Sequence, residues 1–113
     1  MSWLITLSTK DFKEILKRAK TLKTLGKKNI ENERVELMFN GQSLSMVVVS
    51  SIYTIDANGQ GGGTAVLPLK TFQLFRQAFL KAPVRQKELS ISYDHESNSL
   101  TIGSTRLHTS NIT

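Results

Sequence analysis

The sequence predicts an α+β fold in which two helices pack on one face of antiparallel β-sheet. Three observations carry that expectation. Residues 8–25 place apolar side chains at helical spacing, residues 68–81 do so again after a proline, and the remaining segments alternate apolar with polar residues between short turns. Alternation at a period of two marks half-buried strands, and steps of three and four mark an amphipathic helix. The same order occurs twice: a strand, a helix with one polar face and a run of three strands. The chain therefore reads as a pseudo-twofold β-α-β-β-β repeat. Helices with a single apolar stripe must cover it, and the sheet is the surface available.

With 113 residues the chain is long enough for one domain with a real core and hardly for two, so residues 1–113 are read as a single domain. A hydrophobic content of 39% against 21% charged residues argues for a globular chain rather than a disordered one. The net charge of +6 leans toward an anionic partner. The absence of cysteine excludes a disulfide framework and a thiolate metal site. There is neither a secretory leader nor an apolar run of membrane-spanning length, which reads as a soluble cytoplasmic protein with no membrane partner.

Taken in order, residues 3–7 alternate Trp3, Ile5 and Leu7 against Leu4 and Thr6 and predict a strand running into the first helix. Ser8 is the expected N-cap, with Asp11 three residues on, and Gly26 the expected stop. Phe12, Ile15, Leu16, Ala19 and Leu22 fall on one side of that helix, while Lys10, Lys13, Lys17 and Lys20 fall on the other. Glu14 and Arg18 are the only pair in this helix with the acid four residues before the base. A stripe of like charges one turn apart repels itself. That makes a phosphate backbone a reasonable partner, against the plainer reading of a solvated helix face. Lys27, Lys28 and Asn29 then read as a basic connection.

Residues 34–39 predict a strand, Asn40-Gly41 a two-residue hairpin, and residues 43–49 and 52–56 two further strands. Residues 58–63 contain four glycines and are expected to form a loop; residues 64–67 form a short strand. Pro68 suits the first turn of the second helix, which ends before Pro83. Its buried side is Leu69, Phe72, Phe75 and Phe79, and Lys70, Gln73, Gln77 and Lys81 point away. Arg76 falls near the apolar edge and Leu74 in the polar sector. Residues 88–93, 99–103 and 105–109 close the chain as another meander. The strands at 52–56 and 105–109 lack the lysines and prolines that usually guard free edges, so they are expected to pair between copies.

No catalytic or cofactor site assembles from these residues. The glycines at 59–63 are not followed by the Lys-Ser/Thr pair and the helix N-terminus that a phosphate loop needs. Asp94, His95 and Glu96 are neighbours in a turn, where polar side chains serve turn chemistry. His108 stands on a strand without an acid or nucleophile beside it. Trp3, Phe72, Phe75 and Phe79 are spaced as core rather than as base-stacking residues. The expectation is a chain that is not an enzyme and takes no metal or cofactor.

The segment Thr64-Ala65-Val66-Leu67-Pro68-Leu69-Lys70-Thr71-Phe72, followed by Glu88-Leu89-Ser90-Ile91-Ser92-Tyr93 and Leu100-Thr101-Ile102-Gly103, resembles the strand-proline-helix junction and hairpin return of bacterial clamp domains. With the order of elements, it makes nearly the whole chain similar to one domain of the DNA sliding clamps. These are the processivity rings that include the bacterial DNA polymerase III beta subunit. The resemblance implies a non-enzymatic part in DNA replication: sequence-independent binding of duplex DNA, with the helices facing the backbone. Carried over residue by residue, Lys10, Lys13, Lys17 and Lys20 on the first helix and Lys70 and Lys81 on the second would face DNA. A clamp ring has six such domains, two or three to a chain, whereas this chain has one, which implies a homo-oligomer. The alternative is a clamp-like module that pairs with another protein through its sheet edges and has no DNA role.

Overall fold

The structure, a computed structural model, describes residues 2–19, 34–48, 51–83 and 86–109. Among them the chain forms β1 (Trp3–Ser8), α1 (Thr9–Arg18), β2 (Arg34–Phe39), β3 (Ser43–Val48), β4 (Ser51–Asp56), β5 (Asn58–Gly61), β6 (Gly63–Pro68), α2 (Leu69–Lys81), β7 (Glu88–Asp94), β8 (Ser99–Ile102) and β9 (Thr105–His108). The strands build two antiparallel sheets, ordered β5-β1-β7-β8-β9 and β4-β3-β2-β6.

The expected repeat is present, β1-α1-β2-β3-β4 followed by β6-α2-β7-β8-β9, and the halves exchange their leading strands. β1 pairs with β7 of the second half, Ile5 opposite Ile91, and β6 pairs with β2 of the first, Leu67 opposite Val35. Each sheet is therefore completed by the other half.

Inward residues of both sheets and the apolar faces of the helices share one core, with Phe12, Leu16, Leu37, Met46, Leu67, Phe72 and Ile91 all buried. Trp3 joins the sheets, its ring 6.2 Å from that of Phe39 and 5.9 Å from that of Tyr93. The helices meet through Phe12, which packs edge-on to Phe79 at 5.4 Å and lies 6.4 Å from Phe75. Phe79 itself is half-buried, packed against the margin of the core rather than within it.

Ser8 caps α1 as expected, its hydroxyl accepting from the Asp11 amide at 3.3 Å. The helix then stops at Arg18, short of the expected end near Leu25. The cause is tertiary. The last four carbonyls of a helix have no partner within it, and here each has one outside: Ile15 accepts from the Ala19 amide, Leu16 and Lys17 from the Arg76 guanidinium, and Arg18 from the Tyr53 hydroxyl. Leu22, Gly26 and the basic connection at 27–29 lie outside the described residues.

Two turn readings shift. The β2-β3 hairpin centres on Gly41-Gln42 rather than Asn40-Gly41. Asn40 is its first residue, accepting from the Gln42 and Ser43 amides at 2.9 Å, and Gly41 supplies the positive φ of +99°. Pro68 precedes α2 as its N-cap in extended backbone instead of occupying the first turn.

The larger correction concerns residues 58–63. They form no loop: Asn58–Gly61 is β5, paired along β1 from Thr6 to Trp3, and Gly63 opens β6. The glycines permit this pairing, because a Cβ at Gly59 would overlap the Leu4 carbonyl and one at Gly61 the Ser2 carbonyl. Glycine is thus required by close backbone approach.

Candidate nucleic-acid interface

α1 and α2 lie side by side and antiparallel, the middle of each against the C-terminal end of the other, as Phe12 with Phe79 and Leu16 with Arg76 show. Their buried faces turn to the sheets, so the exposed residues of both form one outward layer. Lys10, Lys17, Lys70 and Lys81 are exposed on it, and Lys20 lies outside the described residues.

Two lysines are less free than the spacing suggested. The Lys13 ammonium donates to the Ala82 carbonyl at 3.0 Å, closing the C-terminal end of α2, and the side chain is half-buried. Lys17 pairs with Glu14 at 3.6 Å, both side chains about half exposed at 57% and 50%. The acid expected to serve Arg18 thus serves Lys17. At such exposure the pair contributes only about 0–1 kcal/mol, so a phosphate can displace it at little cost.

Arg76, placed by the sequence only at an apolar edge, proves to position this layer. Its Nε donates to the Leu16 carbonyl at 2.6 Å and its second nitrogen to the Lys17 carbonyl at 3.4 Å. The available signal was a long cationic side chain bordering an apolar stripe, a place where the stem packs and the head seeks oxygen. Lys13 and Arg76 make a reciprocal lock, each helix closing the end of the other. Leu74 stands 63% exposed in the same layer.

Elsewhere the polar clusters have structural duties. Asp94 accepts from the Ser97 hydroxyl at 2.9 Å and the Glu96 amide at 3.1 Å, and these bonds, led by the one from Ser97, hold its carboxyl below the usual range. His95 contacts the buried Tyr93 hydroxyl through Nδ1 at 3.2 Å. Among the described residues no group of three acidic, histidine or cysteine side chains is arranged to hold a metal ion, and no helix is long and apolar enough to cross a membrane.

No protein-family model matches the chain, and no curated protein matches it. Solved structures do. The DNA polymerase III beta subunit of Thermotoga maritima aligns over 98% of this chain and 31% of its own length, with a TM-score of 0.66 at 10% identity. The DNA polymerase beta subunit of Streptococcus pyogenes gives a TM-score of 0.67 at 13% identity over 96% of this chain and 30% of that one. The DnaN sliding clamp of Bartonella birtlesii gives 0.65 at 18% identity over 96% and 29%. The chain thus spans about three-tenths of each of these subunits. Two helices on two antiparallel sheets, matched over nearly every residue to one part of those chains, are the fold of one domain of a bacterial DNA polymerase III beta sliding clamp.

Proposed function

We propose that this chain is a single, non-enzymatic clamp-like domain that holds duplex DNA without reading its sequence, in an assembly of copies joined through sheet edges. The observation that carries the reading is the outward helix layer: Lys10, Lys17, Lys70 and Lys81 stand exposed on the two paired helices of a clamp-domain fold. Ammonium groups on long stems suit a phosphate backbone and make no demand on base identity. Lys13 joins them by exchanging the Ala82 carbonyl for a phosphate.

The edges support the assembly. β4 and β9 are outermost strands of different sheets. Set antiparallel with Ile55 opposite Leu107, both half-buried and inward, they also bring Asp56 opposite Arg106, both exposed. One register thus matches an apolar pair and a charge pair. Contact between two different edges is head-to-tail, the kind that closes rings.

The test is DNA affinity against salt, on covalently closed circular duplex as well as linear fragments. Each phosphate contact contributes about 0.9 to the log-log slope, so replacing Lys10 and Lys17 by Gln flattens it by about two units while base sequence leaves it unchanged. Identical behaviour of wild type and variant on every DNA would overturn the DNA role. The second reading, an interaction module working through the same edges, then takes its place. It is favoured by one observation, that Lys13 and Lys17 already have partners within the fold.

A further inference from the structure

The sequence contains two Asn-Gly pairs, Asn40-Gly41 and Asn58-Gly59, and the fold treats them in opposite ways. An asparagine followed by glycine is open to imide formation, because no side chain shields the glycine nitrogen and its backbone turns freely. At Asn40 the chain is arranged for that reaction. The side-chain carbonyl folds forward over the Gly41 peptide, its Oδ1 accepting from the Gln42 and Ser43 amides at 2.9 Å and from the Ser43 hydroxyl at 3.4 Å. These donors converge on the oxygen that gains charge when the carbonyl carbon is attacked, as in an oxyanion hole. Asn40, Gly41 and Gln42 are all exposed, and nothing lies within 4 Å of the place a Cβ on Gly41 would occupy, so water reaches both the attacking nitrogen and the departing amide. At Asn58 the same pair is locked. β5 lies in the ladder along β1, Asn58 opposite Thr6 and Gly59 opposite Ile5, and Gly59 sits so close to β1 that a Cβ there would overlap the Leu4 carbonyl. Closing the imide ring needs the backbone between the two residues to rotate, and the ladder holds it extended.

We propose that Asn40 is a self-modifying site, converted through a cyclic imide to aspartate and isoaspartate while Asn58 is spared, and that the isoaspartyl product loosens the corner between β4 and β5. The Gly41 nitrogen gives its proton to hydroxide and forms a bond to the Asn40 side-chain carbonyl carbon. The bond from that carbon to Nδ2 then breaks, and Nδ2 takes a proton from water and leaves as ammonia. Water adds to either carbonyl of the imide and opens it, giving aspartate where the bond to the side-chain carbon is cut and isoaspartate where the bond to the backbone carbon is cut. The net change is an amide and water exchanged for a carboxyl group and ammonia. Isoaspartate carries the chain through the former side chain, so the oxygen that held the Gln42 and Ser43 amides leaves its place. The Gln42 carbonyl accepts from the Ala57 amide at 3.1 Å, so the altered hairpin releases that corner. An effect of the release on self-association rests on the sheet-edge reading above; the conversion and its site do not.

The full chain is held in mildly alkaline buffer below its thermal transition, sampled over days and digested. Each Asn-Gly peptide is followed by mass, the acid being heavier than the amide, with the isoaspartyl form separated by chromatography. A parallel sample in guanidinium chloride supplies the unfolded rates, at which the two pairs react alike. In the native chain Asn40 reacts at least as fast as it does unfolded, while Asn58 is slowed roughly tenfold or more because the strand must first open. Conversion slows in mildly acidic buffer, where hydroxide is scarce. In aged protein the isoaspartyl fraction exchanges its Ala57 amide hydrogen faster than the fraction that retains asparagine. Asn40 reacting more slowly in the native chain than unfolded, or Asn58 converting as fast as Asn40, would overturn the proposal. So would equal exchange at Ala57 in the two fractions.

Discussion

Arg76 on α2 donates from Nε to the carbonyl of Leu16 on α1 at 2.6 Å, across sixty positions of sequence. This contact, with the neighbouring bond to the Lys17 carbonyl, holds the last turn of α1 against α2 and so fixes the outward direction of Lys17. Arg76→Ala leaves the Leu16 carbonyl without its partner in a partly buried place, and is expected to destabilise the protein by about 1–3 kcal/mol in denaturant unfolding. Arg76→Lys restores the charge but cannot reach both carbonyls with one fork, and should recover only part of the loss. Full stability of Arg76→Ala would show that the contact is incidental.

Leu16 is itself fully buried beneath that contact. Leu16→Ala is expected to cost about 2–5 kcal/mol as a core truncation. A change within about 0.5 kcal/mol would mean a surface position.

The glycines around β5 make a graded set. A Cβ at Gly59 would collide with the backbone of Leu4 and Ile5, whereas one at Gly62 would meet only the Phe39 carbonyl at 3.4 Å. Gly59→Ala should therefore cost about 2 kcal/mol or more, and Gly62→Ala about 0.5 kcal/mol or less. Equal effects in thermal unfolding would argue against β5 as a paired strand.

At the sheet edges, Asp56→Arg should weaken self-association by setting like charges opposite each other, and Arg106→Asp should do the same. The double exchange should restore association, read by native mass or sedimentation at several concentrations. Failure of restoration would reject the register that joins β4 to β9.

The Asp94 carboxyl is held below its ordinary 3.8, chiefly by the Ser97 hydroxyl. A group with a depressed folded pKa contributes stability that is present above its unfolded pKa and disappears as pH falls through the folded value. Asp94→Asn should therefore be less stable than wild type near neutrality, with the gap closing in acid below pH 3.8. A gap that persists unchanged in acid would assign the effect to turn geometry instead of charge.

What could be read from the sequence was what local chemistry decides. The alternation of Val35, Leu37 and Phe39, the spacing of Phe12, Ile15 and Leu16, the Ser8 cap and the doubled order of elements all hold, because each is settled within a few residues. β5 was hidden because glycine carries no alternation, and its strand geometry exists only against β1. The end of α1 was hidden because the groups that terminate it, Arg76 and Tyr53, come from distant elements. At the interface, the lysine spacing identified an outward helix face, but the engagement of Lys13 by Ala82 depends on how the helices pack.

The exchange of leading strands between the halves bears on how this chain folds during synthesis. β1 leaves the ribosome before either of its partners, and its long ladder joins Trp3 to Tyr93 and Ser8 to Glu88. Closing so long a loop costs chain entropy before any contact compensates it, and topologies of this kind fold slowly. The sheet formed by β2, β3, β4 and β6 is drawn from residues 34–68, interrupted only by β5, and can assemble as the chain emerges, whereas β1 waits for β7 to complete the cover of Trp3, Ile5 and Leu7. Its first shelter is β5, which can pair with it earlier and stays paired in the finished sheet, so the glycine-rich strand covers one edge of the segment whose other neighbour arrives late.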